Sequence, residues 1–352
     1  MRIVGCDFHT RFQQISMLNC KTGELLERRL YHDGKEVEEF YGALRGRTVV
    51  GIESTGYSIW FHELLAELGI ELKVGDAAAI RAQQVRKKKN DLQDARLIRT
   101  LLEEDRFPQI WVIDAEGRDL RFVLSRRRQL VKMRTSVKNT LQSLALNHRL
   151  ALGPSLFTKA GREAFRGLPL RPHAREAAAE LWEQFDELDP RIRRLDRVIE
   201  SECWRRPEAM LLRSHPGVGW QTALAWVLIV GPVERFARAA QLAAYVGLVP
   251  SERSTGGKRR LGRISKQGSK LLRYLLVEAG CSASRHEPGL RRFYRRLLVR
   301  RGVAKAKTAV ARKLSNRLYV MHRDGIDYAE FQRRGLSARP VREIRDCSES
   351  TA

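Results

Sequence analysis

The sequence predicts an α/β domain followed by a mainly helical, strongly basic region, and three observations carry that prediction. The first 110 residues alternate short apolar strands with amphipathic helices. From about residue 115 the apolar positions recur at three-and-four spacing. The charge, finally, is divided unequally. Of 66 Lys+Arg and 41 Asp+Glu, residues 1–110 hold 17 of each, and the remainder holds 49 basic and 24 acidic groups, so the net +25 sits entirely in the second part. A surplus placed like this points to a polyanion partner gripped by one part of the chain only. A ribosome-associated protein or a merely soluble basic surface is the alternative on charge alone.

In the first part, Arg2–Phe8, Gln13–Asn19 and Leu25–Tyr31 read as three strands with short links, an antiparallel meander. Lys35–Leu44 reads as a helix. Thr48–Glu53 is an apolar run ending in an acid, the pattern of a buried strand. Ser58–Leu68 is helical, Glu71–Val74 is a short strand and Asp91–Glu104 a helix. The order βββαβαβα is that of an RNase H-like domain, placed at 1–112. In the second part, Leu130, Met133, Val137, Leu141 and Leu144 form one helical stripe. Leu181, Phe185, Leu188, Ile192, Leu195 and Ile199 form another. A Gly/Pro-rich link at 153–172 separates them, so 113–204 is expected to be a coiled-coil connector, serving either the chain's own core or dimerisation. Pro190 is expected to kink or briefly break the second helix. Residues 205–337 make a Gly-punctuated, mainly α, basic domain, and 338–352 a tail.

The five cysteines are scattered, without CxxC spacing, and read as reduced thiols, not a disulfide frame or zinc site. No apolar run reaches the roughly 18 residues of a membrane span. The start runs straight into a strand carrying an acid, so a cytoplasmic protein is expected.

Four acids stand at telling places. Asp7 lies near the end of the first strand. Glu53 directly follows the core run Val49-Val50-Gly51-Ile52. Asp91 and Asp94 share a helix face at i,i+3 spacing. Taken singly, Asp91 would serve as a helix cap and Glu53 as a solvated strand end. Taken together they match phosphodiester chemistry, which needs charge neutralised on both the attacking and the leaving oxygen. Two Mg²⁺ ions about 3.5–4 Å apart do that, and Mg²⁺ prefers carboxylate oxygens.

The segments Gly5-Cys6-Asp7, Ile52-Glu53-Ser54-Thr55-Gly56 and Lys89-Asn90-Asp91-Leu92-Gln93-Asp94-Ala95-Arg96 resemble the DEDD motifs of the IS110 transposase family, which includes Piv-type DNA invertases. The family's N-terminal domain is similar to the RuvC junction resolvase. The resemblance extends over nearly the whole chain. In the C-terminal part, Pro216-Gly217-Val218-Gly219 resembles the hairpin of a helix-hairpin-helix element, where Gly217 and Gly219 would let backbone N–H groups reach a phosphate. An ordinary helix–helix turn is the other reading. The stretch 251–268 is polar, cationic and Gly-rich, and reads as a loop tracking a nucleic-acid backbone through Lys258, Arg259, Arg260, Arg263 and Lys266.

The resemblance places a nucleophilic serine in that stretch. Counting back from Ser265-Lys266-Gln267-Gly268 lands on Ser254, the preferred residue; counting forward from Pro250 lands on Thr255, and Ser251 is a further candidate. The resemblance thus implies an insertion-sequence transposase using Mg²⁺ and a serine–DNA intermediate. It also implies donor and target DNA, a structured bridge RNA as guide, and a homo-oligomer, a tetramer built as a dimer of dimers. A metal-only RuvC-like resolvase or site-specific invertase, and a non-catalytic nucleic-acid-binding protein, are the rival readings.

Overall fold

The computed structural model describes residues 1–83, 90–252 and 260–335. The chain divides into two compact units, Met1–Val112 and Ile113–Ala352.

The first unit is a five-stranded sheet with helices on both faces. Its strands are β1 (Arg2–Phe8), β2 (Phe12–Asn19), β3 (Leu25–Tyr31), β4 (Thr48–Glu53) and β5 (Glu71–Gly75), in the order β3-β2-β1-β4-β5. The predicted meander pairs antiparallel, while β4 and β5 add on parallel to β1. Strand alternation then sorts the side chains. Val4, Cys6, Phe8, Val50 and Ile52 point into a core closed by Val37 and Tyr41 of α1 (Glu36–Ala43) and by Phe61 and Leu65 of α2 (Ile59–Glu67). A short helix, α3 (Ala77–Arg81), follows β5.

The opposite face receives α4 (Asp91–Glu103), and glycines set how closely it lies. A Cβ on Gly5 would come within 2.1 Å of the Ala95 carbonyl oxygen and 2.3 Å of the Arg99 nitrogen. One on Gly51 would meet Leu102 at 2.6 Å. These two positions face each other across β1 and β4. Only bare backbone lets α4 settle onto the sheet there.

The second unit is built almost wholly of helices. α5 (Ala115–Asn147) and α7 (Pro172–Trp204) form an antiparallel pair, tied by Arg127 to Asp196 (2.8 Å) and by Arg134 to Asp189. Leu130, Val137, Leu141 and Ala145 of α5 pack with Phe185, Leu188 and Ile192 of α7 in one core, so both apolar stripes are buried against each other within the chain. The link is not bare loop. It holds a 3₁₀ turn (Gly153–Phe157) and α6 (Lys159–Arg166), whose Leu156 and Phe165 close the end of that core. Pro190 does not break α7: the helix is continuous from Pro172 to Trp204.

Next come α8 (Pro207–Arg213), α9 (Trp220–Val230) and α10 (Ala239–Tyr245). α9 is buried on nearly every side, as its apolar sequence requires, and forms the centre of the unit. The hairpin β6 (Pro250–Glu252)–β7 (Leu261–Ile264) leads into α11 (Lys270–His286), α12 (Pro288–Arg301), α13 (Val303–Asp324) and α14 (Tyr328–Arg334). Among the described residues no helix is long and apolar enough to cross a membrane.

Candidate functional site

The register places the acids of the first unit. Cys6 stands opposite Ile52 across the parallel β1/β4 pair, so Asp7 and Glu53 follow at the same level. Both share strand parity with Gly5 and Gly51, and so lie on the α4 face of the sheet. α4 starts close by. Its cap is Asn90, whose side chain accepts from the Leu92 N–H at 3.1 Å, which frees Asp91 from the capping role the sequence allowed it. Asp91 and Asp94 both fall in the first turn.

Asp7, His9 and Asp91 come together, each offering a ligand atom within 4.8 Å of the others. His9 Nε2 lies 3.0 Å from Asp7 Oδ2 and 3.7 Å from Asp91 Oδ1. Arg29 of β3 approaches Asp91 at 3.3 Å. Glu53 is more open and pairs with Arg81 of α3 at 3.6 Å. Burial pushes the Asp7 carboxyl above its ordinary range; His9 pulls it back, and the charges of Asp94 and Asp91 raise it again.

His9, Arg29 and Arg81 were not singled out in the sequence. His9 carried a usable signal, since a residue two beyond Asp7 near a strand end falls on the same side. Arg29 and Arg81 are brought in by pairing and helix placement that no local pattern encodes.

The donor set suits a divalent cation. A carboxylate whose ionised form is penalised by burial and by two neighbouring acids is relieved by a bound cation. Oxygen donors match Mg²⁺, and the His9 nitrogen extends the set toward Mn²⁺.

In the second unit, the residues on either side of the basic stretch fold together. Ser265 N–H donates to the Val249 carbonyl at 2.8 Å, and Lys266 N–H to that of Gly247 at 3.3 Å. Gly247 (φ +74°) and Gly268 (φ +66°) lie so close to the facing backbone that a Cβ on either would come within 2.3 Å of a carbonyl oxygen. Arg273 of α11 locks the pair by donating to Val246 O at 2.9 Å and Gln267 O at 2.7 Å. This frame roots the β6–β7 hairpin, where the sequence suggested only a loop. Ser251 lies in β6, its hydroxyl donating to Arg263 O at 3.1 Å. Arg260, Arg263 and Lys266 are exposed along it. Ser254, Thr255, Lys258 and Arg259 lie outside the described residues.

Gly217 (φ +89°) sits against α11, where a Cβ would meet the Ala283 nitrogen at 2.3 Å; helix packing demands a glycine there. Gly219 precedes α9 in extended conformation.

Comparison with known proteins addresses both units. A transposase model of the DEDD, IS110 type matches residues 4–148, and the model described as transposase of the IS116/IS110/IS902 family matches residues 209–295. The chain belongs to the IS110 transposase family. A transposase for insertion sequence element IS1111A from Coxiella burnetii is 30% identical over 251 residues, 65% of each chain. A probable family 20 transposase from Pseudomonas aeruginosa is 28% identical over 301 residues, covering 81% of this chain and 87% of that one. A putative transposase from Sinorhizobium fredii is 25% identical over 286 residues. The DEDD model of this IS110 family covers every strand of the first unit apart from the first two residues of β1, and implies an RNase H-like fold for it.

Proposed function

We propose that this IS110-family chain is an insertion-sequence transposase that cuts and rejoins DNA with divalent metal ions held by Asp7, Glu53, Asp91 and Asp94. The observation that carries the reading is the convergence of Asp7 and Asp91, from the first strand and the last helix of the first unit, around His9. When bound, Mg²⁺ supplies charge neutralisation at the attacking and leaving oxygens of the phosphodiester. Asp7 and Asp91 bind it; His9, hydrogen-bonded to Asp7, orients that carboxylate. Arg29 and Arg81 pair with Asp91 and Glu53 and help to position them.

Ser254 is the proposed nucleophile, with Thr255 and Ser251 as fallbacks. Its hydroxyl oxygen forms a bond to phosphorus as the bond to the leaving sugar oxygen breaks, and the hydroxyl proton passes to a base. The phosphodiester energy is kept in the serine ester, so a second DNA hydroxyl can reverse the step and join new ends. The frame around Gly247, Gly268 and Arg273 gives the β6–β7 hairpin, between whose strands the serine falls in the sequence, a fixed root. The turn before α9 acts as a helix-hairpin-helix element, and Arg260, Arg263 and Lys266, with Lys258 and Arg259, contact the backbone. Residues 113–204 serve as a helical connector and 205–337 as the serine-bearing domain. Guidance by a structured RNA, assembly as a tetramer and a cytoplasmic location complete the reading.

The test is strand cleavage by the full chain with Mg²⁺. Asp7→Ala and Asp91→Ala should each lower cleavage at least a hundredfold and leave DNA binding within about twofold. Ser254→Ala should abolish the protein–DNA adduct seen on a denaturing gel. Undiminished cleavage by Asp7→Ala refutes the metal reading. Undiminished adduct with Ser254→Ala moves the nucleophile to Thr255 or Ser251, and cleavage without any adduct favours a metal-only resolvase.

A further inference from the structure

A cleft of about 420 Å³ opens in the second unit between α5, α9 and α11. That volume lies in the range of small-ligand sites. One wall is a single face of α5, running from Leu124 through Arg127, Arg128 and Lys132 to Asn139. The other is the start of α11, with Leu271, Tyr274 and Leu275, and Gln221 of α9 lies at the base.

Three features of its lining favour a nucleotide. Arg128 lies over the Tyr274 ring, 4.5 Å from its centroid, and the tyrosine is 40% exposed. Arg128 and Lys132 form no ion pair among the described residues, although they stand one helical turn apart on α5, where like charges repel. Arg127, by contrast, is held by Asp196, and Gln221 donates to the same carboxylate at 2.8 Å. Two cations without an acidic partner among the described residues, one of them lying on a partly exposed aromatic ring, on a braced floor, match a phosphate and the base attached to it. Beyond Lys132 the polar side chains of Thr135, Ser136 and Asn139 continue along α5, as a following phosphate would need. The cleft also lies next to the basic segment in the chain: Leu271 is three residues past Gly268 and Tyr274 six.

We propose that this cleft binds single-stranded nucleic acid, with one unpaired base stacked on Tyr274 and its phosphates on Arg128 and Lys132. It rests on the reading of the chain as a nucleic-acid recombinase and adds a place where an unpaired strand is held.

The experiment uses the full chain and oligonucleotides carrying one 5-iodouracil, as DNA in one arm and RNA in the other. After irradiation, adducts are mapped by mass spectrometry, at a salt concentration that suppresses non-specific binding. The expected adduct is at Tyr274, in whichever arm supplies the natural strand. Tyr274→Phe should keep binding and crosslinking. Tyr274→Ala should weaken binding about tenfold, the scale of one lost stacking contact, and Lys132→Glu should also weaken it. Adducts confined to other parts of the chain, with Tyr274→Ala binding unchanged, would overturn the proposal. So would protection of the cleft from hydroxyl radicals that rises with protein concentration alone, since a second copy then covers it. Cleavage is not read here, so a cleft that binds in a chain that does not cut, or the reverse, separates this inference from the function proposed above.

Discussion

At the scale of single residues, the four acids of the proposed site stood out because each sits at a recognisable place: a strand end, or an i,i+3 pair. What the sequence did not disclose is how they are held. Asp7 leans on His9, and Asp91 and Glu53 rest on Arg29 and Arg81, partners 62 and 28 positions away in the chain. Such pairs follow from sheet order and helix placement, which no short window contains. His215 shows the same limit. It directly precedes the Pro216–Gly219 turn, yet the residue is 1% exposed, donates from Nδ1 to the Pro216 carbonyl at 2.9 Å, and packs against Tyr328. Burial lowers its pKa to about 4. The unfolded chain therefore binds a proton between pH ~6.5 and about 4 that the folded chain refuses, so stability present above pH ~6.5 is lost as pH falls. By pH 5 the loss is about 2 kcal/mol. His215→Gln should flatten the pH dependence of unfolding between pH 7 and 5; identical slopes in a denaturant series would count against this account.

At the scale of elements, the strands of the first unit and the helices α1, α2, α4, α5 and α7 were legible because their apolar periods are clean. The β6–β7 hairpin was not. Its strands are three and four residues long, exposed and polar, and what holds them is the backbone frame around Gly247 and Gly268. The continuity of α7 through Pro190 was hidden for a related reason. A proline forfeits one hydrogen bond, but α7 is clamped to α5 on both sides of it, by Asp189 and Asp196. The seating of α4 rests on Gly5. Gly5→Ala places a methyl against the Ala95 carbonyl, and should cost about 3 kcal/mol as α4 is pushed off β1. Because α4 carries Asp91 and Asp94, divalent-metal affinity, read by calorimetry, should fall with it. A variant with unchanged melting temperature and metal affinity would show that the helix is positioned by other contacts.

At the scale of the whole molecule, charge is the most legible property of all, since it needs only counting. The full chain should bind nucleic acid with a steep salt dependence, losing about three orders of magnitude or more in affinity between 50 and 200 mM salt if six or more phosphates are neutralised. A chain ending at residue 112 carries none of the surplus and should show little such dependence; equal slopes would break the link between charge placement and grip. The α5–α7 pair has a kinetic meaning as well. Its ion pairs are nested, Arg134–Asp189 inside Arg127–Asp196, spanning 55 and 69 positions. Closing the inner contact shortens the loop that the outer one must close, so the hairpin zips from the link outward at little added entropy. Within the second unit it leaves the ribosome before the helices that dock against it, through Gln221 on Asp196 and Arg121 on Leu228 O. Pulse-labelled hydrogen exchange during refolding should find amides of 130–145 and 178–192 protected before those of α11 and α13. The reverse order would place the nucleus of the unit in its C-terminal helices.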